Sequence, residues 1–295
     1  MKATCGTCFH RCVLEEGQKG FCRARVNRGG KLVPLYYDRG STQGCTLSAI
    51  ALDPIEKKPL ARFMPGSRIL SIGGWGCNLR CAFCQNHEIS QCGPEQDTGN
   101  EDGTDCLVLT PRQLAAQALS LRKMGNIGVA YTYNEPLVTW EYVRDCAKLL
   151  RNEGMKNVIV TNGSVLPSVL EELLPYTDAM NIDLKCFSAS SYRKLGGDLE
   201  TVKEAIRMCH EYDNGSSRCH VELTTLVVPG FNDSEAEMAE EAAWIASLDR
   251  NIPLHLTRFF PRWHMAYRPP TPVETLSRLA SLSRRELQDV LLGNV

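Results

Sequence analysis

The sequence predicts an α/β fold built on a parallel sheet, and three observations support this prediction. From residue 68 onward, six short apolar runs typical of strands alternate with stretches whose apolar residues recur at helical spacing. Such alternation gives parallel strands joined by right-handed crossovers. The 295 residues are 43% hydrophobic, which suits one large α/β domain. Because six units are fewer than the eight of a closed barrel, a curved, partly open barrel and a doubly wound sheet are both consistent with the pattern.

Local signals mark the ends of several elements. Thr110 and Pro111 are typical of the N-cap and the first residue of a helix, and Gly154 is typical of a helix end. The predicted strands cover residues 69–72, 127–133, 157–161, 179–184, 220–228 and 253–260. The predicted helices cover residues 110–124, 138–152, 166–174, 190–212, 234–247 and 273–287.

The loop after the first strand carries three cysteines in a C-x3-C-x2-C pattern, namely Cys77, Cys81 and Cys84. Gly74 and Gly76 let the backbone turn sharply before them. Three thiolates can hold three irons of a 4Fe–4S cluster and leave the fourth iron open to a small molecule, whereas most electron-transfer clusters use four cysteines. The alternatives are a chance grouping or half of a zinc site.

A second cysteine set lies in the first 30 residues. Cys5, Cys8, Cys12 and Cys22 are spaced C-x2-C-x3-C-x9-C in a glycine-rich stretch that cannot build a core of its own. A bound metal would supply the missing folding energy, and four thiolates suit either zinc or a second iron–sulfur cluster. Reduced, unligated cysteines are the alternative.

We therefore expect three parts in the chain. Residues 1–30 form the cysteine-rich segment. Residues 31–67 form a connecting segment with strand-like patches, such as 31–37, and prolines argue against regular structure over residues 53–66. Residues 68–295 form the core domain. The run between Cys92 and Cys106 is acidic and contains glycine, which predicts an exposed loop.

The spacing of Cys77, Cys81 and Cys84, with the aromatic Phe83 before the last of them, resembles the signature of the radical S-adenosylmethionine (radical SAM) superfamily. The resemblance implies a 4Fe–4S cluster on the three cysteines, with S-adenosylmethionine bound at the open iron. It also places Phe83 among the cofactor-binding residues.

Polar residues follow the later strands, and the carboxyl ends of parallel strands form the site in folds of this kind. Glu135 would accept hydrogen bonds from the methionine ammonium of S-adenosylmethionine. Asp183 or Asn162 would bind the ribose hydroxyls, and Lys185 or Arg258 would pair with the carboxylate.

Several of these polar residues also have a purely structural interpretation. Asp183 and Lys185, two positions apart, can form an ion pair, and His255 on the sixth strand can be a buried structural histidine. Lys57 and Lys58 are either solvated surface residues or line the approach to an anionic ligand.

Further motifs extend the resemblance over nearly the whole chain. They are DPIEKKP (53–59), GCNLRCAFCQN (76–86), TYNEP (132–136), NIDLK (181–185) and RFFP (258–261). Together with the N-terminal cysteines they look like the radical SAM enzymes of the AmmeMemoRadiSam system, which are relatives of the pyruvate formate-lyase activating enzymes. This resemblance implies a partial, open (β/α)6 barrel of the radical SAM type with a small cysteine-rich extension, and association with Memo-like and AMMECR-like proteins. Members often continue beyond the ending seen at residues 293–295 into a cysteine-containing segment.

The amino-acid composition limits the cellular compartments and the classes of partner that we expect for this protein. The net charge of −1 and the pI of about 6.6 indicate no footprint for nucleic acid or membrane. No apolar run is long enough to span a bilayer and the N-terminus has no signal-peptide core, so we expect a cytoplasmic protein. In that compartment, fourteen cysteines favour metal binding over disulfides.

We therefore predict a radical SAM enzyme. By resemblance, a low-potential donor such as flavodoxin or ferredoxin supplies an electron, and S-adenosylmethionine is cleaved to methionine and a 5′-deoxyadenosyl radical that takes a hydrogen atom from an unidentified substrate. The alternative is an activating enzyme that makes a glycyl radical on a partner protein. A non-catalytic zinc- or iron–sulfur-binding module is the rival from another class.

Overall fold

The computed structural model of the chain describes residues 1–38, 44–94, 107–215 and 218–295. The strands are β1 (Ala3–Thr4), β2 (Val13–Leu14), β3 (Arg25–Arg28), β4 (Lys31–Pro34), β5 (Tyr37–Asp38), β6 (Gly44–Leu47), β7 (Ala49–Pro54), β8 (Arg68–Gly73), β9 (Leu107–Leu109), β10 (Asn126–Thr132), β11 (Lys156–Thr161), β12 (Ala179–Asp183), β13 (His220–Val227), β14 (Leu254–Arg258) and β15 (Val290–Gly293). The α-helices are α1 (His87–Ser90), α2 (Pro111–Ser120), α3 (Trp140–Asn152), α4 (Pro167–Leu173), α5 (Ala189–Lys194), α6 (Leu199–Glu211), α7 (Glu235–Leu248) and α8 (Val273–Ser283). Most of the acidic loop predicted between Cys92 and Cys106 lies outside the described residues.

A central sheet of eight strands organises the described residues, in the order β7-β8-β10-β11-β12-β13-β14-β15. Seven of these strands run parallel, namely β8, β10, β11, β12, β13, β14 and β15. Strand β7 pairs antiparallel with β8. The six predicted strands are β8, β10, β11, β12, β13 and β14, and they are neighbours in chain order. The predicted α/β class with an open, partial barrel is therefore confirmed, since β7 and β15 form the two edges and do not pair with each other in the described part of the chain.

The two edge strands were not predicted. Strand β7 falls within the predicted connecting segment and pairs with β8 along its whole length, from Ala49 opposite Gly73 to Pro54 opposite Arg68. Pro54 is tolerated because it is the last residue of an edge strand, where its missing N–H removes little pairing. Strand β15 has only four residues, which is too short for its periodicity to stand out from the preceding helix.

The helices begin and end largely where the sequence signals predict. The side chain of Thr110 accepts a hydrogen bond from the Gln113 N–H (3.2 Å), and the side chain of Gln113 accepts one from the Thr110 N–H (2.8 Å), which gives a complete capping box. The predicted helix 138–152 is an α-helix only from Trp140, because a 3-10 turn over Pro136–Thr139 precedes it. Within the described residues, no helix is long and apolar enough to cross a membrane.

One segment crosses the face of the sheet opposite the main helices. In this inner segment (residues 55–62), Ile55 and Leu60 are fully buried. Their apolar neighbours are Ile69, Ala130, Val158 and Ala179. Each of these strand residues alternates with one that packs in the main core, so the inner segment lies on the other face. The side chain of Asn181 donates to a backbone carbonyl of the segment (2.9 Å), and Glu222 accepts hydrogen bonds from two of its N–H groups.

A buried carboxyl group on α7 makes the stability of the fold sensitive to pH. Burial raises the pKa of Glu241 to about 8, and its Oε1 lies 2.5 Å from the hydroxyl of Thr225. Because the pKa is higher in the folded state than in the unfolded chain, this group stabilises the fold fully at acidic pH, and the contribution is lost as the pH rises towards 8. We expect wild-type stability to fall relative to Glu241→Gln by on the order of 2 kcal/mol between pH 6 and pH 9 in urea unfolding. Glu240→Gln, an exposed position on the same helix, should keep the wild-type slope; parallel curves for Glu241→Gln and wild type would contradict the prediction.

Candidate active site

The three cysteines of the predicted cluster lie on the loop that follows β8, and their thiols influence one another. Burial raises the pKa of Cys77 well above its ordinary value and that of Cys81 to about 12, and neighbouring thiols, including Cys84, add to the effect. Without a nearby positive charge such thiols are neutral. Iron binds thiolates, and three soft sulfur donors gathered in a buried loop suit an iron–sulfur cluster with one iron left open. The donor set therefore fits the group that the spacing predicts.

The turn after β10 holds the cysteine loop in place. The side chain of Asn134 accepts a hydrogen bond from the Gly74 N–H (2.9 Å) and donates to the Gly76 carbonyl (3.0 Å). Asn86 donates to the carbonyl of Tyr133 (2.7 Å), a residue with a left-handed backbone (φ 69°). The TYNEP motif is thus tied to both ends of the loop by hydrogen bonds between side chains and backbone, which explains its position beside the cysteines.

Glu135 and Asn162 connect the next two strand ends to the loop. Glu135 is 2% exposed, and burial raises its pKa to about 7. Its carboxyl group accepts hydrogen bonds from the Thr161 hydroxyl (2.7 Å) and from the N–H of Asn162 (2.8 Å). The amide nitrogen of Asn162 lies 3.6 Å from the Cys77 sulfur and donates to the Asn78 side chain (2.9 Å). Two of the predicted cofactor residues therefore lie directly beside the first cysteine.

Asp183 and Lys185 form an ion pair at the end of β12, with 2.8 Å between Nζ and Oδ2. Burial alone would lower the pKa of Lys185, but Asp183 and the thiols of Cys81 and Cys84 raise it overall. The ammonium group therefore stays charged, and it partly offsets the effect of burial that raises the pKa of Cys81. The ion pair between these two residues is the structural interpretation given above. Their role in binding S-adenosylmethionine stays a prediction.

The remaining predicted site residues have different surroundings. Phe83 is buried, and its ring packs against that of Phe231 with 5.7 Å between centroids. Arg258 donates to the Thr271 carbonyl (2.7 Å) and lies over the ring of Phe260, so its described contacts are to the segment after β14 rather than to the cysteines. Its predicted pairing with a carboxylate stays a prediction.

His255 and the two lysines have structural partners. The ring of His255 lies 2.6 Å from a carboxylate oxygen of Glu222. Lys58 is 2% exposed and pairs with Asp53 (2.8 Å), whereas Lys57 is largely exposed and lies 3.3 Å from the same carboxylate. Burial alone would raise the pKa of Asp53, but Lys58 and other donors hold it well below its usual range.

The N-terminal cysteines share one small region beside the cysteine loop. Cys5, Cys8 and Cys22 are buried, and burial together with the neighbouring thiols raises the pKa of Cys8 to about 12. The Cys5 N–H donates to the Cys12 carbonyl (2.9 Å). Among the described residues, which include the loop of Cys77, Cys81 and Cys84 as well as this segment, no group of three or more His, Cys, Asp or Glu side chains is arranged to hold a metal ion as it stands. A zinc ion or second cluster here stays a prediction.

Sequence reasoning did not predict Asn78, which lies between the two cysteine sets. Asn78 is fully buried, and its side chain donates to the Ser164 carbonyl (2.7 Å). The backbone carbonyl oxygen of Asn78 lies 3.0 Å from a ring nitrogen of His10. At Gly76, a Cβ atom would lie 2.3 Å from the Cys22 carbonyl oxygen, so the two cysteine segments pack backbone to backbone. The only sequence signal was a polar residue and a glycine inside a cysteine motif, which does not reveal a distant partner.

The arrangement places soft metal donors, a charged lysine and hydrogen-bonding groups at one end of one sheet. Neutral and charged polar groups face the cysteines from three successive strands, β10, β11 and β12. Such a site can hold a redox cluster and beside it a small molecule with amino, carboxylate and hydroxyl groups.

Comparisons with known proteins give one matching family model and several similar proteins. A family model described as the radical SAM superfamily matches residues 72–242. An uncharacterised protein of Methanocaldococcus jannaschii is 35% identical over 297 residues, covering 100% of this chain and 82% of that protein. The pyruvate formate-lyase 1-activating enzyme of Escherichia coli is 27% identical over 178 residues, covering 58% of this chain and 65% of that enzyme, slightly less than two thirds. The crystal structure of SuiB from Streptococcus suis has a similar fold, with a TM-score of 0.55 at 13% identity over 76% of this chain and 48% of that chain.

Proposed function

The chain belongs to the radical SAM superfamily, and from this premise we propose that it is an enzyme that cleaves S-adenosylmethionine reductively at a 4Fe–4S cluster held by Cys77, Cys81 and Cys84. The observation that carries the proposal is the grouping of three cysteine thiols on one loop, Cys81 buried and Cys77 and Cys84 half-buried, beside the Asp183–Lys185 pair at the strand ends.

The protein's own residues would bind and orient the cofactors. When bound, the cluster supplies the electron that splits the sulfonium of S-adenosylmethionine into methionine and a 5′-deoxyadenosyl radical. Lys185 would attract the thiolates electrostatically. Lys185, or Arg258 once it leaves the Thr271 carbonyl, would pair with the carboxylate of S-adenosylmethionine. Glu135 would accept a hydrogen bond from the methionine ammonium, and Asn162 and Asp183 would bind the ribose. Phe83, buried beside the last cysteine, would exclude water from the adenosyl group.

One finer version of this function is supported by a relative. The similarity to the pyruvate formate-lyase 1-activating enzyme of E. coli favours a protein substrate on which the chain would make a glycyl radical. The motifs similar to AmmeMemoRadiSam-system enzymes favour instead a chain that works with Memo-like and AMMECR-like proteins, on a protein or another substrate. In either version flavodoxin or ferredoxin would be the electron donor, and the N-terminal cysteines would hold zinc or a second iron–sulfur cluster.

The proposed chemistry is tested by product analysis. We expect the protein, reconstituted anaerobically with iron and sulfide, to form 5′-deoxyadenosine from S-adenosylmethionine when dithionite is added, and none without dithionite. A protein that retains its cluster and yet forms no 5′-deoxyadenosine would contradict the proposal. Metal analysis that finds only zinc after reconstitution would favour a non-catalytic binding module.

The glycyl-radical version has its own readout. Incubation of the reduced enzyme and S-adenosylmethionine with pyruvate formate-lyase is expected to give the EPR doublet of a glycyl radical. Formation of 5′-deoxyadenosine without that doublet would reject pyruvate formate-lyase as the substrate and leave the cleavage chemistry standing.

A further inference from the structure

Positive charge is concentrated at the N-terminus of this chain. Residues 1–34 contain seven lysines and arginines against two glutamates, a formal net charge of +5, whereas the whole chain carries −1. The remaining residues therefore carry −6. A segregation of this size creates a local positive potential that the net charge conceals.

Part of this basic segment lies directly on the cysteine loop. The guanidinium of Arg80 donates to the backbone carbonyls of Cys77 and Leu79 (both 2.9 Å) and also to that of Phe21. The same group lies 3.9 Å from the centre of the Phe21 ring. Arg80 thus joins the backbone of a predicted cluster ligand to an aromatic residue of the N-terminal segment.

The outer side of this contact is accessible to a partner. Phe21 is 36% exposed; the ring of His10 stacks on it at 4.1 Å between centroids, and Gly196 lies against its outer carbon atoms. Arg11, next to His10 in the chain, is exposed. Arg23 is half-buried and donates to the side chain of Gln91 (3.4 Å), which in turn donates to the Leu79 carbonyl that Arg80 also contacts. We call this group, Arg11, Phe21, Arg23 and Arg80, the basic patch.

We infer that the basic patch is the docking surface for the electron donor, an acidic, low-potential one-electron carrier protein. This inference rests on the proposed function, which requires a donor. In the transfer the carrier is oxidised by one electron, the cluster is reduced by one electron, and no bond is made or broken.

Two features of the patch fit a carrier of this kind. The exposed edge of the Phe21 ring, held between Arg80 and His10, offers an apolar contact close to arginines, and complementary charge speeds the encounter of two redox proteins. Arg80 contacts both the Phe21 ring and the backbone carbonyl of Cys77, so a carrier seated at Phe21 would place its redox group close to the cluster loop.

A basic surface also suits nucleic acid, and the two partners are separable. Polynucleotides bind through the phosphate backbone with a steep salt dependence that does not need an aromatic centre. The patch has one aromatic residue and three arginines, of which Arg11 is exposed and Arg23 and Arg80 are half-buried, while the chain outside residues 1–34 has a net negative charge. We therefore favour the carrier protein and treat RNA binding as an outcome that would overturn the inference.

The test compares charge reversal at the patch with charge reversal elsewhere on the full chain. The double variant Arg11→Glu/Arg23→Glu changes the patch without touching Arg80, which is bonded to the cysteine loop. The control is Lys123→Glu, an exposed residue just before β10, at the end of the sheet opposite the cysteines. The probe is flavodoxin, oxidised for binding by calorimetry and as the hydroquinone for stopped-flow reduction, with dithionite as the small reductant.

We expect the double variant to bind oxidised flavodoxin at least tenfold more weakly than wild type at 50 mM salt, and to lose most of the salt dependence. The ratio of its flavodoxin-driven to its dithionite-driven reduction rate should fall by a similar factor, while Lys123→Glu should match wild type in both. Affinities and ratios within twofold of wild type, or tighter binding of a single-stranded RNA than of flavodoxin, would overturn the inference. If instead dithionite and S-adenosylmethionine give no 5′-deoxyadenosine in wild type, the proposed function fails rather than the docking surface.

Discussion

Replacing Cys81 with alanine is expected to abolish the 4Fe–4S cluster and to lower 5′-deoxyadenosine formation by at least two orders of magnitude. The loop offers three thiols, and each would ligate one iron, so two remaining cysteines cannot hold the cluster. Cys81 is 8% exposed and small, which means that the substitution costs little packing and the fold should persist. The measurement is iron and sulfide content together with product yield after anaerobic reconstitution.

The matched control for this prediction is Cys209→Ala on α6. Cys209 is also buried, its pKa is also raised to about 12 by burial, and its sulfur lies 3.4 Å from that of Met180 rather than near the loop. The same chemical change there should leave cluster content and product yield near those of wild type. Equal losses in both variants would mean that cysteine removal acts through folding, and an active Cys81→Ala would exclude this residue as a ligand.

Much of the fold and part of the site follow from local patterns in the sequence. All six predicted strands form neighbouring parallel strands because apolar runs alternating with amphipathic helices have few ways to bury their faces. Glu135, Asn162, Asp183 and Lys185 gather near the cysteines since the ends of parallel strands share one edge of the sheet. Strand order and side-chain direction were therefore enough to bring these residues together.

The contacts that sequence reasoning missed join segments far apart in the chain. Asn78 contacts His10 and Ser164, and no periodicity in the sequence links those positions. The inner segment was predicted to be irregular because of the prolines in and around it, but its burial was not predicted; it is buried because the free face of the sheet needs apolar cover. The basic patch was not predicted for another reason. The net charge of the whole chain does not show how positive and negative residues are distributed over the surface.

Substitution of Glu222 is expected to be the most damaging single change to stability. Glu222 is fully buried, and each of its carboxylate oxygens accepts one backbone N–H of the inner segment and one histidine: Ala61 and His255 on one, Arg62 and His220 on the other. Burial alone would raise its pKa, but His220, His255 and the two N–H groups hold it at about 2. Removal of the carboxylate would leave four donors without their partner.

We expect Glu222→Ala to lower the free energy of unfolding by about 3–5 kcal/mol, the range found when one partner of a buried charge network is removed. Glu222→Gln should cost nearly as much, because its amide group turns an acceptor of two hydrogen bonds into a donor that faces other donors. Urea unfolding at pH 7 measures both. The control, Glu204→Gln, removes a half-exposed carboxylate paired with Arg207 and should change stability by less than about 0.5 kcal/mol.

The pH dependence tests the same network independently. Because the pKa of Glu222 is lower in the folded state than in the unfolded chain, the carboxylate stabilises the fold above about pH 4.5, and this contribution is lost as the pH falls towards 2. Wild type should therefore lose stability more steeply than Glu222→Gln on acidification from pH 5 to pH 3. Parallel profiles would show that the carboxylate is not the anchor of the inner segment. A steeper wild-type profile would mean that the inner segment is held by charge as well as by its apolar residues.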